Sequence, residues 1–235
     1  MLALATAATV FATSAQAALL GRDINGYAVA GSDVSAVFLY DTDLNITWLR
    51  DANASATAGN ANDPHGLGYG GFMNWDAANS WADGLTVGVY SDWRLPTTLQ
   101  PDNTCDRQYD AGPLFGVQGH GFSCTGSEMG HLWYTELGNS AGVLMSNTGS
   151  FQNLKRFEYW FRTESVVNAN YVWTFYTVVG SQATSNTGGD LLAMAVRPGD
   201  VLAAEVPEPG TLLLVVAALA GLGLVRRWAV GVLRL

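Results

Sequence analysis

The chain has 235 residues; only 13% are charged and eight are tryptophan, a composition unlike that of a disordered protein. The C-terminal end holds Arg226, Arg227 and Arg234 of the eleven basic residues and Glu208 of the twenty acidic ones, which leaves residues 18–205 with a net charge of −11. So acidic a body repels phosphate backbones, which argues against a nucleic-acid partner, and it repels anionic polysaccharide unless cations bridge the two.

From Leu2 to Ala17 the residues are small and apolar, ending in Ala15-Gln16-Ala17 before charge first appears at Arg22. This order predicts a secretory signal peptide over residues 1–17, cut after Ala17, with Ala15 and Ala17 as the small residues the peptidase reads. No Lys or Arg precedes the apolar stretch, so the start codon is expected upstream of Met1.

In the body, Tyr27–Ala30 and Val34–Tyr40 are β-rich and separated by Gly31-Ser32-Asp33, which predicts a hairpin. Ile46-Thr47-Trp48-Leu49 reads as a further short strand. Between them Asp41, Asp43 and Asn45 open like a calcium loop, but Ile46 stands at the sixth position and Ala52 at the twelfth, where such a loop needs Gly and Glu. An ordinary acidic turn is the preferred reading and no metal is assigned. The glycine-rich run 65–71 lacks both phosphate-loop and dinucleotide spacing and reads as a loop.

From Asn74, a suitable N-cap, residues Trp75, Ala78, Ala82 and Leu85 recur with helical spacing. Trp93-Arg94-Leu95 is strand-like and stops at Pro96. Cys105 and Cys124 are the only cysteines, and in an exported chain they most simply pair, tying down a turn-rich loop for about 3 kcal/mol. Ser127-Glu128 opens a second helix that places Met129, Leu132, Trp133 and Leu137 on one face and stops at Gly138. Beyond it Phe157, Tyr159 and Phe161 alternate, as do Tyr171, Trp173 and Phe175, then Leu192, Met194 and Val196. The expected fold is α+β: antiparallel sheets with two main helices packed on them, followed by a single C-terminal transmembrane helix.

That helix belongs to the tail, residues 206–235. Val206-Pro207-Glu208-Pro209 is held extended by its two prolines and suits a protease. Residues 210–225 form an apolar run that would rise about 24 Å as a helix, slightly short of the hydrocarbon core, and Arg226-Arg227 hold its far end in the cytoplasm. Pro-Glu-Pro, apolar helix and arginine pair together resemble the PEP-CTERM sorting signal. The resemblance implies an exosortase as partner, a membrane-anchored precursor, and delivery to the outer surface or extracellular matrix of a Gram-negative bacterium that secretes exopolysaccharide.

Within 18–205, five words carry a second resemblance: Asp41-Thr42-Asp43-Leu44-Asn45-Ile46-Thr47-Trp48, Trp75-Asp76-Ala77-Ala78, Tyr90-Ser91-Asp92-Trp93-Arg94-Leu95-Pro96-Thr97, Tyr159-Trp160-Phe161-Arg162-Thr163-Glu164 and Ala195-Val196-Arg197. Together they resemble the DUF1566 family, also called the Lcl C-terminal domain, which implies a C-type-lectin-like fold. The chain departs from the family at Phe161 and Arg162 and in its acidity. Arg94 is expected to pair with Glu164 or a helix end; both, with Arg197, read as structural ion pairs first and ligand contacts second.

Enzyme chemistry finds little footing. His65, His120 and His131 stand in unlike contexts, no Ser or Cys lies in a nucleophile elbow, and no residue is singled out as catalytic. The surplus of rings in the second half instead suggests a non-catalytic module for surface polysaccharide or another surface ligand. Trp160 and Tyr176, opposite in phase to the apolar faces around them, are the rings expected to be exposed, near loops 139–140 and 168–170. The alternatives are a structural matrix component without a discrete ligand, or an uncharacterised hydrolase. No cofactor is expected, calcium at Asp41, Asp43 and Asn45 being the one candidate.

Overall fold

A computed structural model describes residues 19–202. The predicted signal peptide, the sorting motif Val206–Pro209, the apolar run 210–225 and Arg226-Arg227 lie outside the described residues. In chain order the elements are β1 (Leu19–Arg22), β2 (Ala28–Val29), β3 (Phe38–Asp41), β4 (Ile46–Leu49), α1 (Ala54–Thr57), α2 (Trp75–Asp83), β5 (Arg107–Asp110) and β6 (Val117–His120). They continue with α3 (Glu128–His131), a π-helical turn (Leu132–Glu136), β7 (Glu158–Glu164), β8 (Tyr171–Tyr176), β9 (Ser181–Asn186) and β10 (Val196–Pro198).

Helix accounts for only 12% of the structure. The expected α+β, C-type-lectin-like arrangement with two main helices is therefore corrected: the body is mostly antiparallel sheet with short helical inserts. One helix forms as expected, α2, capped by the Asn74 side chain accepting from the Ala77 N–H. The other divides after a single turn. Ser127 caps α3 by accepting from Gly130 N–H, but the Leu137 N–H then bonds Leu132 O, five residues back, and Gly138 at φ 61° ends the segment. Among the described residues no helix is long and apolar enough to cross a membrane.

The larger sheet has the order β10-β4-β3-β1-β2, every neighbouring pair antiparallel. The hairpin expected across Gly31–Asp33 does not form. The strands on either side of that turn both pair with β1, Val29 opposite Gly21 and Phe38 opposite Arg22, so β1 lies between them. A three-stranded sheet, β7-β8-β9, is the other main layer, and β5-β6 form a separate hairpin. Residues 191–198 link the two layers: Trp160 N–H bonds Leu192 O beside β7, and Val196 stands opposite Trp48 on β4.

Between the layers lies the main core, where Trp48, Met129, Leu132, Trp133, Tyr159, Phe161, Phe175 and Met194 meet. On the outer face of β7 and β8 a second cluster forms under α2, from Ala78, Ala82, Leu95, Trp160, Val172 and Ala193. Both faces of β7 are thus covered. The period-2 pattern separates two buried surfaces here rather than a buried face from a wet one.

Candidate functional site

The segment between the cysteines carries more order than its turn-rich sequence suggests. The Cys105–Cys124 disulfide brackets the β5-β6 hairpin. Just beyond the hairpin, Gly121 and Gln182 exchange backbone hydrogen bonds of 2.9 and 2.7 Å, which fasten it to β9. The buried Gln182 side chain strengthens this joint, its Nε2 donating to Gly119 O at 3.2 Å and its Oε1 accepting from the Thr98 hydroxyl at 3.1 Å.

This docking leaves a groove of about 400 Å³ between the hairpin, the loop 165–170 and strands β8 and β9. Three rings line it: Tyr109 from β5, and Tyr171 and Trp173 from one face of β8. The tyrosines are 54% and 37% exposed, whereas Trp173 is buried at 4% with its indole N–H lacking a hydrogen-bond partner. Gln118, His120, Asn168 and Thr184 supply polar groups, and no Asp, Glu, Lys or Arg lines the groove. Such a lining can stack against flat apolar surfaces and bond to hydroxyls while offering no fixed charge.

The residues singled out in the sequence fall elsewhere. Tyr176 is 40% exposed, as expected, but it does not line the groove. The expectation of an exposed Trp160 is corrected: the ring is wholly buried in the cluster under α2, with its N–H bonded to Met73 O at 2.8 Å. Of the two partners expected for Arg94, Glu164 and a helix end, the structure gives the helix end, the first residue of α3. Arg94 grips Glu128 with two bonds of 2.8 and 2.7 Å, and Glu128 accepts the Thr97 N–H as well. As expected, Trp93 and Leu95 on either side of Arg94 face inward. Glu164 ends β7 opposite Val172. Arg197 pairs with Asp92 and lies over the Tyr90 ring, and these bonds hold the Asp92 carboxyl below its usual range.

Of the calcium candidates, Asp41 Oδ1 accepts the N–H groups of Asp43 and Leu44, while Asn45, in left-handed geometry at φ 52°, accepts from the Tyr40 hydroxyl. Asp41 and Asp43 instead stand beside His131 and Glu136. Burial, reinforced by the charge of Asp41 and opposed by His131, pushes the Glu136 carboxyl above its ordinary range.

Sequence reasoning named the 168–170 loop as a neighbour of the site but chose Trp160 and Tyr176 as its rings, read Tyr171 and Trp173 as alternating strand residues, and missed Tyr109, Gln118 and His120. Arg107-Gln108-Tyr109-Asp110 carries no apolar alternation, and all four residues of the strand are exposed, so nothing in its pattern marks it as a wall of the groove.

Residues 205–227 match the PEP-CTERM protein-sorting motif. The chain carries an exosortase sorting signal. It is an exported protein whose precursor is processed at a membrane. No curated protein and no solved structure matches the chain.

Proposed function

We propose that the exported body binds an uncharged polysaccharide in the groove between the β5-β6 hairpin and strands β8 and β9, without catalysing a reaction. The observation that carries this reading is the lining: three aromatic rings, neutral hydrogen-bonding groups and no ionised side chain. A sugar ring presents an apolar face to stack and hydroxyls to bond, and the groove volume falls within the usual range for small-ligand sites. Glycoside hydrolysis needs a pair of carboxyl groups, and the groove lining holds none. The acidic body argues against anionic glycans as the ligand. Delivery follows from the tail: residues 210–225 hold the precursor in the inner membrane, the exosortase cuts near Pro207-Glu208-Pro209, and the body reaches the outer surface or matrix of a Gram-negative cell.

A glycan array probed with the exported protein tests the reading. Neutral glycans are expected to bind saturably. Each exposed ring contributes about 0.5–1.5 kcal/mol, so Tyr109→Ala or Tyr171→Ala lowers affinity roughly two- to tenfold, and the pair lowers it further. An array without neutral hits refutes the proposal. A deletion strain that loses biofilm cohesion while the protein shows no saturable binding would favour a structural matrix role instead. Replacing Pro207, Glu208 and Pro209 by alanine should leave uncut precursor in the membrane, read by immunoblot; unchanged processing would reject the cutting step.

A further inference from the structure

The β3–β4 turn and the π-helical turn bring together four side chains that lie about ninety residues apart in sequence. His131 Nε2 lies 3.4 Å from Glu136 Oε1, 3.8 Å from Asp41 Oδ1 and 4.0 Å from Asp43 Oδ2. One donor atom each from Asp41, His131 and Glu136 falls within 4.8 Å of the other two.

These groups are enclosed. Asp41 is fully buried, and the side chains of Glu136 and His131 are 1% and 12% exposed, with Asp43 at 47% forming the open edge. Asp41 Oδ2, His131 Nε2 and Glu136 Oε1 are all buried without a hydrogen-bond partner, although they converge. Buried polar atoms are nearly always satisfied, and buried carboxylates need a compensating charge. Among the described residues no Lys or Arg forms an ion pair with Asp41, Asp43 or Glu136; a single imidazole faces all three.

The backbone explains the convergence. In an α-helix, residues five apart point about 140° away from each other. The Leu137 N–H to Leu132 O bond widens the turn and brings Glu136 round to the side of His131. At the end of β3, the Asp41 Oδ1 bonds to two backbone N–H groups fix its carboxylate and leave Oδ2 buried without a hydrogen-bond partner.

The donor chemistry selects the ion. One imidazole nitrogen with carboxylate oxygens suits a first-row transition metal, whereas calcium prefers six to eight oxygens. With metal–ligand bonds of about 2.0–2.2 Å, tetrahedral donors stand roughly 3.3–3.6 Å apart. The His131–Glu136 spacing already fits, Asp43 Oδ2 needs to close by about half an ångström, and Asp41 offers its unbonded Oδ2 from a carboxylate whose Oδ1 already lies 3.8 Å from His131 Nε2. We propose that Asp41, His131 and Glu136, with Asp43 completing the set, bind one divalent transition-metal ion of the zinc class and so pin the β3–β4 turn to the π-helical turn. With four protein ligands and little solvent access the site is structural.

The test uses the full chain, purified in detergent, stripped with a chelator and titrated with zinc, manganese or calcium chloride. Zinc is expected to bind at one equivalent and to raise the melting temperature. His131→Gln and Asp43→Asn should each weaken it at least about tenfold, while His120→Gln, a change in the groove, leaves it unaltered. Asp43 is half exposed, so its variant keeps the assay decisive if His131→Gln fails to fold. Absence of stoichiometric zinc uptake, uptake that survives both ligand variants, or saturation by calcium with zinc inert overturns the proposal.

Discussion

Trp160→Ala is the sharpest test of the packing, because the alternation of β7 points to solvent and the structure points to the core. The ring is 0% exposed and its neighbours under α2 include Ala78, Ala82 and Ala193, side chains too short to lean into the space it leaves. Little collapse is available, so the cost belongs near the top of the roughly 3–5 kcal/mol seen for buried aromatic-to-alanine changes. The lost N–H bond to Met73 O adds about 1 kcal/mol, without a further penalty, because that carbonyl still accepts from the Leu191 N–H at 3.0 Å. A loss of about 4–5 kcal/mol corresponds to a melting temperature lower by roughly 8–20 °C in a domain of this size. Urea unfolding of the purified exported protein, followed by tryptophan fluorescence and far-ultraviolet dichroism, measures it. Tyr176→Ala, at a ring 40% exposed, is the comparison and should cost about 1 kcal/mol or less. If Trp160→Ala loses no more than Tyr176→Ala, the enclosure of the β7 outer face by α2 is wrong.

Glu128→Gln leaves the Arg94 guanidinium half-paired at a site where the two side chains are 24% and 15% exposed. A loss of about 2 kcal/mol is expected by urea titration, less than for a fully buried pair. Replacing Cys105 and Cys124 together by serine should cost about 3 kcal/mol and speed amide exchange in the β5-β6 hairpin, with β7 and β8 unaffected in the folded state. Asp92→Asn tests the Arg197 pair through pH: a carboxyl whose folded pKa is depressed stabilises the fold above its unfolded value near 3.8 and loses that contribution as pH falls through the folded value. The wild type should therefore melt above the variant at pH 7 and converge with it in stronger acid. A difference that is constant across the range would rule out the ion pair as its cause.

How much of the molecule could be read from its sequence depended on how local the determining interaction is. The Asn74 cap and the spacing of Trp75, Ala78 and Ala82 are local, and α2 formed where they placed it. The pairing of Cys105 with Cys124 followed from cysteine count and export alone. In contrast, the fate of Trp160 depends on a helix eighty residues earlier covering the strand's second face, and periodicity does not say what covers a face. Met129, Leu132, Trp133 and Leu137 were placed on one helix face and all four lie in the main core, yet the π turn that interrupts this helix has no compositional mark. That same turn gives His131 its neighbours, so a histidine that looks solitary in sequence gains three carboxylates in space. Arg94 chose the nearby first turn of α3 over Glu164 because Glu128 offers a bidentate grip already oriented by the Thr97 N–H.

The larger sheet joins the two ends of the body. Its interior strand β1 is the first described element, its edge strand β10 is the last, and Arg22 bonds Asp200 across 178 positions at 2.6 Å. Such long-range closure makes for slow maturation. During export the emerging chain has to wait, with β4 lacking its outer neighbour, until nearly the last body residue has crossed. The sorting segment beginning at residue 205 follows immediately, so threading of the tail and final locking of the sheet fall in the same short interval of translocation.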